Sequence, residues 1–222
     1  MSPIFDDRAD AGRQLASQLQ EYRQHADAVV LALPRGGVPV AYEIARALRL
    51  PLDVYIVRKL GVPGHEELAM GAVASDASYV MDDGMIQRLG ITPRQFQSVL
   101  VHEFAEIKRR EAAYRDDRPE PDVTARSVIV VDDGLATGST MYSAVSALRQ
   151  RRPREIVVAV PVAPPETCAA LARVADRVVC PHQPVYFGAV GVYYADFGQV
   201  SDGEVRRLID RAGTERAAWK VA

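Results

Sequence analysis

Apolar and polar positions along the chain follow two periods, and the switches between them mark out the elements. Residues 8–24 place Ala11, Leu15, Leu19 and Tyr22 at helical spacing, which predicts an amphipathic helix. Ala28 to Leu33 is a short apolar run that predicts a strand, Pro34-Arg35-Gly36-Gly37 a turn, and Val38 to Leu48 a helix. Leu52 to Val57 predicts a second strand. The stretch 59–81 is Gly-rich at first and then carries two strand-like runs, Ala69–Ala74 and Ser78–Met81. Thr92 before Pro93 has the form of a helix start, and Phe96, Leu100, Phe104 and Ile107 line one side of a long helix reaching about Tyr114. A polar, proline-bearing connection covers 115–122. Then come strand 128–131, helix 139–150, strand 155–161, helix 166–174, strand 177–180 and a last helix from near Ser201-Asp202. Strands alternating with helices predict an α/β fold, a mostly parallel sheet with helices on both faces.

The densest chemistry lies at 128–140, VIVVDDGLATGST. Val128 to Val131 are four consecutive β-branched residues, the pattern of a strand covered on both faces. They run into Asp132 and Asp133, then into small and hydroxyl residues, Gly134, Ala136, Thr137, Gly138, Ser139 and Thr140. Glycine lets backbone approach a ligand closely. A helix start offers unpaired N–H groups and a partial positive charge. Acids before the turn and donors within it suit a ligand with both hydroxyls and a phosphate monoester. No lysine occupies the loop, so the nucleotide-hydrolysing G-x-x-x-x-G-K-[ST] pattern fails. A receiver domain also puts two Asp after a hydrophobic strand. There the acids sit near the domain start, and the hydroxyl-rich turn would have no purpose.

This stretch resembles the phosphoribosyl pyrophosphate motif of the type I phosphoribosyltransferases, D-D-G-x-A-T-G-[GS]-T after four hydrophobic residues. The chain also resembles, from end to end, a bacterial phosphoribosyltransferase-like group with no assigned acceptor. The resemblance implies one domain over 1–222: a core over about 28–162, a flexible loop over about 60–68, a helical insertion over about 92–115, and a small hood from the terminal segment 181–222. It implies displacement of pyrophosphate from phosphoribosyl pyrophosphate by a nitrogenous base or related acceptor, in nucleotide salvage. Asp132 and Asp133 would hold the ribose hydroxyls and, through water, Mg²⁺. Gly134 and Ala136 to Thr140 would bind the 5′-phosphate. Arg35, Gly36 and Gly37 resemble the pyrophosphate loop, with Arg58 and Lys59 assisting; Lys59 counts among the catalytic candidates. His65, Glu66 or Glu67 could act when the flexible loop closes. Tyr186 and Phe187 are the candidates for the acceptor in the hood, or equally for covering a sheet edge. The resemblance further implies a homodimer. The alternative reading is a sensor of phosphoribosyl pyrophosphate that binds nucleic acid without turnover.

Composition narrows this further. A net charge of −2 gives no global support for nucleic-acid binding, which weighs against the sensor. The cluster Arg149, Arg151, Arg152 and Arg154 at a helix end suits the helix dipole. Cys168 and Cys180 show neither metal-ligand spacing nor a disulfide framework, and they predict a reduced, cytoplasmic setting. No leader pattern opens the sequence, and no apolar stretch approaches the ~20 residues that span a bilayer, so no membrane partner is expected. Only three of the 27 basic residues are lysines, which singles out Lys59.

Overall fold

A computed structural model of the chain describes residues 3–115 and 120–219, apart from the side chain of Glu67. Five parallel strands form the main sheet: β1 (Ala28–Ala32), β2 (Leu52–Val54), β6 (Ser127–Val131), β7 (Glu155–Ala159) and β8 (Arg177–Val179), in the order β2-β1-β6-β7-β8. All five residues of β1 and of β6 are buried. The two strands run in register from Ala28 opposite Ser127 to Ala32 opposite Val131, so they end level.

Period-two alternation divides these strands between two cores. Val30, Ile129, Val131 and Val157 face Leu15 of α1 (Arg8–Ser17), Val40 and Ile44 of α2 (Gly37–Leu48), and Ile209 of α7 (Asp202–Trp219). Val29, Val128, Val130 and Val158 face Met141 and Val145 of α5 (Ser139–Gln150) and Leu171 of α6 (Pro165–Leu171). The continuous apolar runs therefore have the cause expected of them, burial on both faces.

Leu52–Val57 is not one strand. Leu52, Asp53 and Val54 pair with β1, and the Tyr55 N–H still bonds the carbonyl of Ala32 at 2.9 Å. Val57 then joins a separate antiparallel sheet of β3 (Val57–Val62), β4 (His65–Ala74) and β5 (Tyr79–Met81). One apolar run thus serves two sheets, and composition cannot mark the break. Arg58 and Lys59 accordingly sit inside β3, not in a turn after a core strand.

Residues 60–68, expected as a flexible loop, form the tip of this hairpin. Pro63-Gly64 makes the turn, with Gly64 at φ 79°, as a proline-then-glycine turn requires. The register shifts at Gly61, where a Cβ would stand 2.7 Å from the Glu66 carbonyl oxygen. His65 and Glu66 are exposed on this hairpin, and the side chain of Glu67 lies outside the described residues.

The helical insertion is α4 (Pro93–Arg115), preceded by α3 (Asp83–Arg88), a short helix with no buried residue to signal it. Thr92 and Gln95 form a reciprocal cap: the Thr92 N–H donates to Gln95 Oε1 at 3.0 Å and the Gln95 N–H to Thr92 Oγ1 at 3.3 Å. At the far end Arg115 is buried against Asp53 at 2.9 Å, Glu111 at 2.8 Å and Glu120 at 3.2 Å. Among the described residues no helix is long and apolar enough to cross a membrane.

Candidate functional site

The level ends of β1 and β6 bring two loops together. From β1, Pro34-Arg35-Gly36-Gly37 turns into α2; its Pro34–Arg35 peptide is cis. From β6, residues 132–138 turn into α5. The glycines are there for closeness. A Cβ on Gly37 would lie 2.6 Å from the Val131 carbonyl oxygen, and one on Gly36 would lie 2.0 Å from Asp133 Oδ2. The Asp133 carboxylate therefore rests on the backbone of the first loop.

The far end of the second loop shapes a cradle. Gly138 caps α5 at φ 70° and has no side chain to bond the helix start; the Ser139 N–H alone reaches a hydroxyl, Thr137 Oγ1 at 3.4 Å. Thr137 Oγ1 and Ser139 Oγ stand 3.0 Å apart, and Ala136, Thr137, Ser139 and Thr140 are exposed. Helix-start amides that the cap leaves open, flanked by hydroxyls, suit an anion. Its floor is fixed from behind: Thr167 Oγ1 donates to the Ala136 carbonyl at 2.9 Å, and the Leu135 N–H to that of Val162 at 3.0 Å.

The two acids differ. Asp132 Oδ1 accepts the Asp133 N–H at 2.9 Å. Burial, followed by the neighbouring charge of Asp133, pushes the Asp132 carboxyl well above the usual carboxylate range. Burial also raises Asp133, and the guanidinium of Arg8 opposes that rise. Arg8 Nε donates to Asp133 Oδ2 at 2.8 Å, and its Nη1 to the Gly198 carbonyl at 2.7 Å. Its guanidinium carbon sits 3.8 Å from the centre of the Phe197 ring. The Tyr194 hydroxyl donates to the backbone carbonyl of Asp133, and its burial raises its pKa. A pocket of about 380 Å³ opens here, lined among others by Arg8, Arg35, Asp133, Phe197 and Gln199.

A phosphoribosyl transferase domain model matches residues 4–196. The chain belongs to the phosphoribosyl transferase domain family. A Mycobacterium tuberculosis protein (strain H37Rv), provisionally named a phosphoribosyl transferase, is 44% identical over 209 residues, 94% of this chain and 47% of that protein. The chain thus spans about half the length of the curated relatives it matches. The crystal structure of a Thermus thermophilus protein superposes with a TM-score of 0.83 at 40% identity, covering 94% of this chain and 98% of that one. A uracil phosphoribosyltransferase of Acidovorax is 34% identical over 82 residues, 37% of each chain.

In this phosphoribosyl transferase domain, Asp132 and Asp133 stand against Gly36-Gly37, and the same loop runs on to Thr140 at the start of α5. Arg35 leans away toward Asp202 at 3.6 Å, at the start of α7. Arg58 is ion-paired with Glu103 of α4 at 2.6 Å, while Lys59 is exposed on β3. Tyr186 is 86% exposed, and Phe187 packs on Tyr193 with ring centres 5.3 Å apart. The aromatic rings beside the acids are those of Phe197, under Arg8, and Tyr194. Arg8 and Phe197 were missed because a lone arginine at a helix start and one phenylalanine in a tail carry no motif. Among the described residues no cluster of three or more His, Cys, Asp or Glu could hold a metal by itself. The paired carboxylates suit a hard cation that keeps waters and shares substrate oxygens, which is the habit of Mg²⁺.

Proposed function

We propose that this domain is a phosphoribosyltransferase that displaces pyrophosphate from phosphoribosyl pyrophosphate with a nitrogen nucleophile. One observation carries the reading: two part-buried carboxylates and an open, hydroxyl-flanked helix start are joined by one short loop. Carboxylates and cradle match a diol and a terminal phosphate on the same pentose.

The transition state of such a displacement resembles a ribosyl oxocarbenium ion. The work of the chain is to hold the sugar and to complement charge as it develops. Asp132 and Asp133 hold the hydroxyls and place negative charge beside the anomeric carbon. The amides and hydroxyls of Ala136 to Thr140 bind the 5′-phosphate. The backbone of Gly36 and Gly37, with Arg35, receives the diphosphate, and Lys59 approaches it if the β3–β4 hairpin closes. Mg²⁺, held by Asp132 and Asp133 through water, would neutralise charge on the leaving diphosphate. The hairpin tip would exclude water from the cation.

Isothermal titration with phosphoribosyl pyrophosphate and magnesium tests the first half of this reading, with saturable binding the expected result. Pyrophosphate release on adding an acceptor tests the second. Binding without release, with retention of nucleic acid, would favour the sensor. No binding at all would end both.

A further inference from the structure

Cys168 and Cys180 are the only cysteines of the chain, and the fold sets their thiols side by side. Cys168 comes from α6 and Cys180 from the residue after β8, and both join the core that α5 covers. Each keeps a little surface, 6% and 8% exposed. Cys180 Sγ lies 3.3 Å from the His182 carbonyl oxygen and also hydrogen-bonds with the Cys168 thiol, so its single proton has two acceptors. The bond from Cys180 holds the Cys168 thiol below its ordinary value; the same contact, and then burial, pushes Cys180 up. One thiol is thus primed to attack and the other to follow.

The pair sits against both supports of the turn between β6 and α5. Thr167, next to Cys168, donates to the Ala136 carbonyl at 2.9 Å, and a Cβ on Gly138 would stand 2.7 Å from Thr167 Cγ2. The carbonyl of His182, two residues past Cys180, accepts the Ala163 N–H at 3.1 Å. His182 also pairs with Val162, whose carbonyl takes the Leu135 N–H at 3.0 Å. A covalent bond draws two sulfurs closer than thiols in contact can stand. α6 and the segment after β8 must then shift together, and close-packed Thr167 passes that shift to the turn.

We propose that Cys168 and Cys180 form a reversible oxidation site, closed to a disulfide by a peroxide, that loosens the turn assigned above to the 5′-phosphate. The oxidation stands on the thiols alone; its effect on a ligand rests on the phosphoribosyltransferase reading. The Cys168 thiolate attacks one peroxide oxygen, the O–O bond breaks, and a sulfenic acid forms. The hydroxide released takes up the proton that Cys168 has shed. The Cys180 sulfur then attacks the Cys168 sulfur; the S–O bond breaks, and the departing hydroxide takes the Cys180 proton. Two thiols and one hydrogen peroxide give one disulfide and two waters. The sulfurs lose two electrons, and the peroxide gains them. An external dithiol reverses the step.

The test uses the full chain. Hydrogen peroxide should remove two hydrogens from the intact mass, and proteolysis should give one peptide pair joined through Cys168 and Cys180. Dithiothreitol should restore the parent mass. Cys180→Ser keeps a donor for His182 but cannot close the bond, so a cyclic 1,3-dione should label Cys168 as its sulfenic acid. Cys168→Ser should take no label. Thermal unfolding checks both variants, and the parent's peptide map decides the site even where a variant is unstable. No joined peptide from the folded protein, or one joined between two chains, overturns the site. Titration with ribose 5-phosphate reads the consequence. The reduced protein should bind, the oxidised protein should bind about 2- to 10-fold more weakly, and reduction should recover the loss. Equal affinity in the two forms overturns the link to the turn. Failure of the reduced protein to bind ribose 5-phosphate removes the phosphoribosyltransferase reading instead, and the oxidation is then decided by mass alone.

Discussion

Replacing Gly36 by alanine isolates the closest approach in the site. The residue has φ −61° and ψ −34°, which alanine adopts without strain, so any effect comes from the added methyl group. That group would sit 2.0 Å from Asp133 Oδ2 and 2.6 Å from its Cγ, whereas ordinary contact begins at 3.4 Å. The carboxylate must retreat by more than an ångström, and its 2.8 Å bond to Arg8 must break or drag Arg8 along. A carboxylate moved off the ribose hydroxyls forfeits a charge-assisted hydrogen bond, about 1.5–3 kcal/mol or roughly 10- to 150-fold in affinity. Overpacking of this kind costs about 1–3 kcal/mol in stability, or roughly 2–4 °C in Tm per kcal/mol for a domain of this size. Gly36→Ala should therefore lower affinity for phosphoribosyl pyrophosphate with magnesium by about one to two orders of magnitude in a calorimetric titration, while the protein stays folded. Gly188→Ala, where a Cβ meets nothing within 4 Å, is the control and should bind as the parent does. Affinity in Gly36→Ala within a few-fold of the parent would refute the claim that Asp133 is positioned by that backbone.

Other outcomes follow from the same geometry. Asp132 has a folded-state pKa above its unfolded one, so the native state holds more protons between the two values. Its contribution to stability is greatest below the unfolded pKa and declines as pH rises through the folded one. Asp132→Asn should thus unfold at a higher temperature than the parent at neutral pH without ligand, and the advantage should vanish in acid; an equal Tm at pH 7 would contradict this. Arg115→Ala leaves three carboxylates around a buried vacancy and should lose about 3–5 kcal/mol in denaturant unfolding, with sugar affinity per folded molecule unchanged. Thr167→Val removes the bond to the Ala136 carbonyl, and should weaken binding of ribose 5-phosphate and of phosphoribosyl pyrophosphate by the same factor, about 2- to 10-fold. A loss confined to the diphosphate compound would misplace the cradle.

The sequence read best where one residue has one job. Val128 to Val131 are buried on both faces, and nothing but a central strand needs that. Ser139–Gln150 begins and ends where its pattern does. Thr92 needs only Gln95, three residues on, to close its cap. Reading failed where a residue answers to something far away. Tyr55 looks like mid-strand but is where the chain changes sheets. Gly61 to Gly64 look like an irregular connection because glycine and proline serve a bulge and a tight turn equally well. Arg8 reads as surface charge until Asp133, 125 residues distant, is placed beside it. The acids and the open helix start were legible because one short segment holds both. The wall facing them was not, since it draws on both ends of the chain.

That wall is stitched by backbone. The N–H of Phe5 bonds the carbonyl of Tyr193, and the N–H groups of Ala195 and Asp196 return to Phe5 and Asp6. Arg8 reaches Gly198 across 190 positions. On a ribosome, residues 4–8 emerge before the strands, helices and hairpin and must wait for all of these before their partners appear. A nascent chain halted near residue 185 would own the loop from Asp132 to Thr140 yet have an open flank beside the acids. The flank beside the acids would close only with that seam.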